Sequence, residues 1–352
     1  MKCKITNNKE LYNFCEPYVI AELGANHNGD MKLAKKLVLA AKNAGAHCVK
    51  FQSWSKDSIF SRQKYEENCF LTDDYRDRTD CTMEELVDAY SMSEEELKEM
   101  KDYADELGID FTSTPFSKKE ADFLVDTLKV PFLKIASMDV DNLPFLDYLA
   151  RKQLPIILST GLSDLSEIDK AVQTMENAGN KQIVLLHCVA TYPPKDQDVN
   201  LRKMETLRLQ YPYPIGFSDH TIGTSVPLAA VALGACVIEK HFTLDKTMEG
   251  WDHKVSAEPS DLKEIVKNSK RVYLALGNSR ITHVENQERR REFRRSIVTT
   301  RKIKAGEILT EKDLDFKRPG SGISPSEIQY VIGRTLKQDV NYDQVLVWEN
   351  FV

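Results

Sequence analysis

The chain has 352 residues, 41% of them hydrophobic and 29% charged, with 48 Lys and Arg against 54 Asp and Glu and a formal net charge of −6. That composition supports a sizeable folded core and excludes a disordered chain. The acidic balance argues against a nucleic-acid-coating protein, which needs basic groups to neutralise phosphates, and no apolar run reaches the roughly 18 residues of a membrane span.

From the N-terminus, Met1 to Asn8 lacks the apolar segment of a secretory signal. The seven cysteines are scattered and never form Cys-x-x-Cys. Small buried thiols in a reducing, cytoplasmic compartment are the expectation. Short apolar runs then recur, each ending in polar or Gly residues: Tyr18–Ala21, His47–Gln52, Ile109–Ser113, Phe132–Ser137, Pro155–Ser159, Ile183–Cys188, Ile215–Ser218 and Cys236–Phe242. Between them lie stretches of helical period. In the first of these, Asp30 is placed as N-cap, Leu33, Leu37, Ala40, Ala41 and Ala44 share a face, and Gly45 closes the helix.

Eight strand-like runs alternating with helices predict a parallel sheet, and eight is the number that closes a (β/α)8 TIM barrel. A doubly wound sheet is the alternative, but no Gly-x-Gly-x-x-Gly follows the first run. The stretch from Trp54 to Glu96 is long for a connection and reads either as a covering loop with short helices or as a solvated insertion. Pro227 to Ile238 reads as a buried helix entering a strand. The barrel is expected over residues 1–277. Residues 278–295 interleave Arg289, Arg290, Arg291, Arg294 and Arg295 with Glu285, Glu288 and Glu292, which predicts a solvated linker helix rather than a nucleic-acid surface. Residues 296–352 carry short strands with Gly-rich turns and predict a small, mainly β domain.

Catalytic groups of such barrels gather at the C-terminal strand ends. There the sequence places Glu22 with Asn26-His27-Asn28, Lys50 and Gln52, Thr114, Lys134 with Ser137 and Asp139, Ser159-Thr160, Tyr192, Ser218-Asp219-His220, and Lys240-His241. Lysines within apolar strands point inward, where an unpaired ammonium costs several kcal/mol, so Lys50 and Lys134 need anionic partners. An internal ion pair with Glu22 or Asp139 is one answer. A multiply charged phosphate-carboxylate ligand, held also by Ser137, Ser159, Thr160 and Ser218, is the other. His220 and His241 end adjacent strands and could share one divalent cation, with Mn²⁺ suiting two imidazoles plus oxygen donors. His187 reads as a satisfied core histidine and His253 as a loop residue within reach of substrate.

These residues resemble the sialic acid synthase family, the phosphoenolpyruvate-condensing enzymes that make N-acetylneuraminate, legionaminate and related nonulosonic acids. The resemblance is carried by Ala21-Glu-Leu-Gly-Ala-Asn-His-Asn-Gly29, Val49-Lys-Phe-Gln52, Ser113-Thr-Pro-Phe116, Lys134-Ile-Ala-Ser137, Leu158-Ser-Thr-Gly161, Leu186-His-Cys188 with Tyr192-Pro193, Gly216-Phe-Ser-Asp-His-Thr221, and Glu239-Lys-His-Phe-Thr-Leu-Asp245 with Asp252-His-Lys254, in order. Arg318-Pro-Gly320 and Gly322-Ile-Ser-Pro325 extend it to the family's antifreeze-like (β-clip) domain. It implies a metal-dependent condensation of phosphoenolpyruvate with an N-acyl hexosamine. His220 and His241 would hold Mn²⁺, Mg²⁺ or Co²⁺. Lys50, Thr114, Lys134, Ser137, Ser159 and Ser218 would bind phosphoenolpyruvate, and Glu22, Gln52, Tyr192 and Asp252 would line the sugar site. Asp139 would handle water. The same resemblance implies a domain-exchanged homodimer in which Arg318 reaches the neighbouring barrel. Three departures, Met138-Asp139 for Gly-Glu, Ala190 for Asn and Trp251 for Pro, point to a modified sugar. A metal-free Schiff-base aldolase using Lys134 or Lys50 is the mechanistic alternative.

Overall fold

The computed structural model describes residues 1–68 and 81–352. Cys69 and residues 69–80 of the long connection after Trp54 lie outside the described residues. The chain divides into two compact units, Met1–Gly277 and Asn278–Val352.

The first unit opens with an antiparallel hairpin, β1 (Cys3–Thr6) and β2 (Lys9–Leu11), which is absent from the sequence-based expectations. All eight apolar runs then form strands: β3 (Tyr18–Gly24), β4 (Cys48–Ser53), β5 (Asp110–Pro115), β6 (Leu133–Ile135), β7 (Ile156–Ser159), β8 (Ile183–Cys188), β9 (Ile215–Asp219) and β10 (Val237–His241). They lie in the order β5-β4-β3-β10-β9-β8-β7-β6, each paired ladder parallel. The two ends meet where the Thr112 hydroxyl of β5 donates to the Phe132 carbonyl just ahead of β6, at 2.7 Å. This is the (β/α)8 barrel that the alternation predicts.

Period-two alternation sorts each strand's side chains between two cores. Val19, Ala21, Val49, Phe51, Leu133, Ile135, Leu158, Leu185, Phe217 and Ile238 belong to the cluster shared with the surrounding helices. Each fully buried Leu, Ile or Phe there contributes about 1.5–3 kcal/mol. Tyr18, Ile20, Cys48, Phe132, Ile157, Val184, Leu186 and Val237 face the other way and fill the barrel interior. Cys3, Ile5 and Leu11 of the hairpin join that interior cluster, so β1 and β2 act as its floor. The polar residues come two positions further along the same inward faces, as Ile20 to Glu22 and Cys48 to Lys50 show.

The helix Met31–Ala44 shows the local logic. The Asp30 carboxylate accepts from Lys32 N–H at 2.7 Å, and Gly45 ends the helix at φ +90°. Its buried stripe is Ala34, Leu37, Val38, Ala41 and Ala44, which keeps Leu37, Ala41 and Ala44 of the expected face, with Leu33 and Ala40 half-buried at its edge. Just upstream, Gly29 sits at φ +74°, and a Cβ there would come within 2.3 Å of the Ala89 carbonyl in the helix Met83–Tyr90. Gly29→Ala is therefore expected to destabilise the protein by about 1–3 kcal/mol, read as a lower urea midpoint. An unchanged midpoint would contradict this docking of the long connection onto the barrel.

In the second unit, β11 (Ser296–Thr299) pairs antiparallel with β12 (Leu314–Lys317). Ile297, Ile303, Leu309, Leu314, Val331, Leu336, Val340, Leu346 and Phe351 form its own core. The helix Gln287–Phe293 ahead of β11 buries none of its residues. Among the described residues no helix is long and apolar enough to cross a membrane.

Candidate functional site

A cavity of about 340 Å³ opens at the C-terminal ends of the barrel strands. Its floor is a ring of inward polar residues one step above the apolar layer: Glu22 of β3, Lys50 of β4, Thr114 of β5, Lys134 of β6, Ser159 of β7, Ser218 of β9 and Glu239 of β10. Gln52, Ser137, Tyr192, His220, His241 and Asp252 line it above them. Apolar groups complete the wall: Trp54, Ile59 and Phe60 from the long connection, with Phe116, Met138, Leu162 and Trp251. The described part of that connection is therefore a wall of the cavity, not a detached insertion.

Both buried lysines are matched by carboxylates. Lys50 forms an ion pair with Glu22 and donates to Thr114 Oγ1 at 3.0 Å. Lys134 donates to Ser159 Oγ at 2.7 Å and to the Ile135 carbonyl at 3.0 Å, and lies 3.5 Å from Glu239 Oε1. The internal partner of Lys134 is thus Glu239 rather than Asp139. Ser218 Oγ also donates to Glu239, at 3.1 Å. Burial alone would raise the Glu239 carboxyl, yet the Lys134 and Lys50 ammoniums hold it below the ordinary range. Burial pushes Glu22 the other way, up to about 7, against the pull of Lys50. Burial likewise opposes the Lys50 ammonium, but Glu22 and Glu239 keep it above the usual lysine range. For Lys134 burial prevails over Glu239 and lowers it.

The rings of His220 and His241 stand 5.4 Å apart between centroids. Tyr192 packs against both, at 4.0 Å and 5.8 Å. His220 Nδ1 lies 2.8 Å from the Val189 carbonyl, a pure acceptor that fixes the proton on Nδ1 and leaves the Nε2 lone pair available. His241 Nδ1 is buried, makes no hydrogen bond, and stands 3.5 Å from Asp252 Oδ2. Burial lowers the His241 pKa, which favours the neutral, ligating imidazole. These donors fit a single divalent cation. Among the described residues no cluster of three or more His, Cys, Asp or Glu side chains is arranged to hold a metal, so two imidazoles would leave several positions to bound oxygen.

Other candidates serve the scaffold. Lys240 and Asp219 alternate outward and pair with each other at 2.6 Å, where Lys240 also donates to the Thr221 carbonyl and Asp219 accepts from Thr221 N–H. Lys240→Met should cost about 3–5 kcal/mol of stability, as breaking a buried pair does, while leaving ligand affinity at the cavity unchanged. Calorimetry and equilibrium binding would separate the two effects. His187 donates to the Val199 carbonyl at 2.7 Å, as a satisfied core histidine. His253 does not line the cavity: it accepts from Thr243 Oγ1 at 2.7 Å and donates to Asn28 at 3.1 Å. Asn26 donates to the Phe242 carbonyl and Ser256, holding two loops together.

Asp139 is not brought to the cavity wall either. Its turn, Ser137–Asp139, presents Ser137 and Met138 to the cavity, and Asp139 instead accepts from Asn142 at 3.0 Å. Arg318 belongs to the second unit, where its guanidinium stacks 4.9 Å from the Phe293 ring centre. Glu239 and Trp54 are functional candidates that sequence reasoning passed over. Parity within β10 contains the signal for Glu239, since it lies two residues before His241 and must share its face. Five of the six described cysteines are buried and all six are free thiols; Cys188 alone among them lines the cavity.

The chain matches the NeuB family over residues 37–281 and the SAF domain over residues 294–352. It is 40% identical over 342 residues to N,N'-diacetyllegionaminic acid synthase from Legionella pneumophila, covering 95% of this chain and 94% of that protein. It is 34% identical to N-acetylneuraminate-9-phosphate synthase from Homo sapiens, covering 94% and 92% respectively. A solved N-acetylneuraminic acid synthetase from Leptospira borgpetersenii, in complex with citrate, has a TM-score of 0.73 at 32% identity and covers 82% of this chain and 94% of its own.

Proposed function

The chain belongs to the NeuB family of enzymes, which condense phosphoenolpyruvate with sugars, and from that premise we propose that its substrates are phosphoenolpyruvate, water and a neutral 2,4-diacetamido hexose. The products are a nine-carbon nonulosonic acid and phosphate. The observation that carries this reading is the buried ring in which Lys50 and Lys134, with Thr114, Ser159 and Ser218, lies beside the His220 and His241 pair. Lys50, Lys134 and these hydroxyls, joined by Ser137, hold the phosphate and carboxylate of phosphoenolpyruvate. Glu22, Gln52, Tyr192 and Asp252 orient the open-chain amino sugar. His220 and His241 hold Mn²⁺ or a similar dication, which when bound supplies Lewis-acid polarisation of the sugar carbonyl. C3 of phosphoenolpyruvate joins the sugar C1, water adds at C2, and phosphate leaves with C–O cleavage. Glu22, raised toward neutrality, is suited to hold or release a proton during these steps. A homodimer that places Arg318 of one copy at the acceptor of the other belongs to the same proposal.

Charge and polarity support the neutral acceptor. The cavity's two lysines are already matched by Glu22 and Glu239, and among the described residues no other Lys or Arg lines it. A phosphate on the sugar would meet no further cation from the described residues of the same copy, and the wall of Trp54, Phe60, Met138, Leu162 and Trp251 suits acetamido methyl groups. The test is phosphate release with phosphoenolpyruvate, Mn²⁺ and a panel of amino sugars. The kcat/KM for a 2,4-diacetamido hexose should exceed that for a 6-phosphorylated N-acetylhexosamine by about 100-fold, as loss of a pair to a buried charge implies. Preference for the phosphorylated sugar or for plain N-acetylmannosamine would overturn the acceptor assignment.

One observation favours a second reading. Lys134 is lowered by burial, a property of lysines that form imines. It nevertheless donates to Ser159 and the Ile135 carbonyl and pairs with Glu239 at 3.5 Å, which suits an ammonium cradle better than a free amine.

A further inference from the structure

Trp54, at the end of β4, is 2% exposed, and its indole N–H donates to Gln52 Oε1 at 2.8 Å. The same Gln52 amide donates from Nε2 to Glu22 Oε1 at 2.8 Å, and Glu22 in turn pairs with Lys50. An indole nitrogen can only donate, so the first bond decides which end of the amide is oxygen. With the oxygen turned to Trp54, the nitrogen must face Glu22, and one Nε2 hydrogen remains to be offered to a ligand. Without the indole, only the Glu22 carboxyl would orient the amide, and in its protonated form it could donate to the amide oxygen and let the group turn over. Backbone geometry concentrates these groups: Gly24 sits at φ +42°, and its missing Cβ would lie 3.0 Å from Glu22 Oε1, 3.2 Å from Gln52 Nε2 and 3.5 Å from Asp252 Oδ2. The Trp54 ring itself is held edge-on to Trp251 at 5.4 Å, and Trp251 packs against Tyr90 at 5.8 Å.

We infer that Trp54 is a positioning residue for the acceptor: through its indole N–H it fixes Gln52 so that an N–H, and not a carbonyl oxygen, faces the sugar, where it reads an acceptor oxygen such as that of the N-acyl group. This rests on the reading that the sugar lies over Glu22, Gln52 and Asp252. It adds that the aromatic wall sets the hydrogen-bonding sense of the polar floor.

The test replaces Trp54 with 3-benzothienylalanine, which keeps the bicyclic shape but carries sulfur in place of the N–H, alongside Trp54→Phe. With a turned-over diacetamido hexose, kcat/KM for the sugar should fall about ten-fold in the isosteric variant, the loss expected for one oriented hydrogen bond, while KM for phosphoenolpyruvate stays within about two-fold. Equal kcat/KM for wild type and the isostere would overturn the inference and leave the proposed reaction standing. A second readout does not need turnover. The Trp54 indole N–H, followed by ¹⁵N NMR, should exchange with solvent slowly in the wild type and at least about ten-fold faster in Gln52→Leu. If wild type releases no phosphate with any sugar, the reaction assignment fails, and this exchange rate alone decides the positioning claim: unchanged exchange refutes it.

Discussion

His220→Ala should lower kcat by about 10³-fold or more with the fold intact, because several kcal/mol of transition-state charge stabilisation from a bound dication would be lost. The same holds for His241→Ala. The structure explains why the loss should be selective. Both imidazoles end adjacent strands, above a barrel interior whose apolar layer they do not join. Removing either ring leaves the ladders and the two hydrophobic clusters untouched. Circular dichroism and thermal midpoint should therefore match wild type while Mn²⁺ binding, measured by calorimetry, weakens beyond detection. A variant that keeps near-normal turnover would show that these rings do not serve the chemistry.

Lys134→Met carries the second large effect, and here fold and function fall together. Lys134 and Glu239 are both almost fully buried. Deleting the ammonium strips Glu239 of its nearest cation, and breaking such a pair costs about 3–5 kcal/mol of stability. Methionine fills the volume, so the cost is electrostatic rather than a cavity. KM for phosphoenolpyruvate should rise by about 10- to 100-fold, since a charge-assisted hydrogen bond contributes about 1.5–3 kcal/mol. The double variant Lys134→Met with Glu239→Leu should recover much of the stability and none of the affinity. Recovery of both would mean that Lys134 serves the core alone. Lys240 provides the contrast, because it is buried to a similar degree yet paired on the outward face, so its loss moves stability only.

The barrel strands are legible in sequence because each inward-and-outward buried run is bounded by Gly, Pro or polar residues, and the helices between them have a clear 3.6-residue stripe. The hairpin Cys3–Leu11 is not legible, since strands of four and three residues offer too few alternations to detect. Strand-end position correctly gathered Glu22, Lys50, Thr114, Lys134, Ser159, Ser218, His220 and His241 around one cavity. It failed where backbone direction changes within a residue or two. Asp139 follows a strand end closely, but a short 3-10 turn carries its carboxylate away to Asn142. Lys240 sits beside His241 in sequence and on the opposite face of the sheet in space. The Trp54–Trp251 contact joins residues almost 200 positions apart, and no local pattern encodes it.

The most direct test of the account is phosphate release from phosphoenolpyruvate, followed with and without a 2,4-diacetamido hexose, before and after chelation. Release should require the sugar, stop with EDTA, return with Mn²⁺, and leave no protein adduct on borohydride treatment. Turnover that survives EDTA, together with a borohydride-trapped adduct on Lys134 or Lys50, would contradict it.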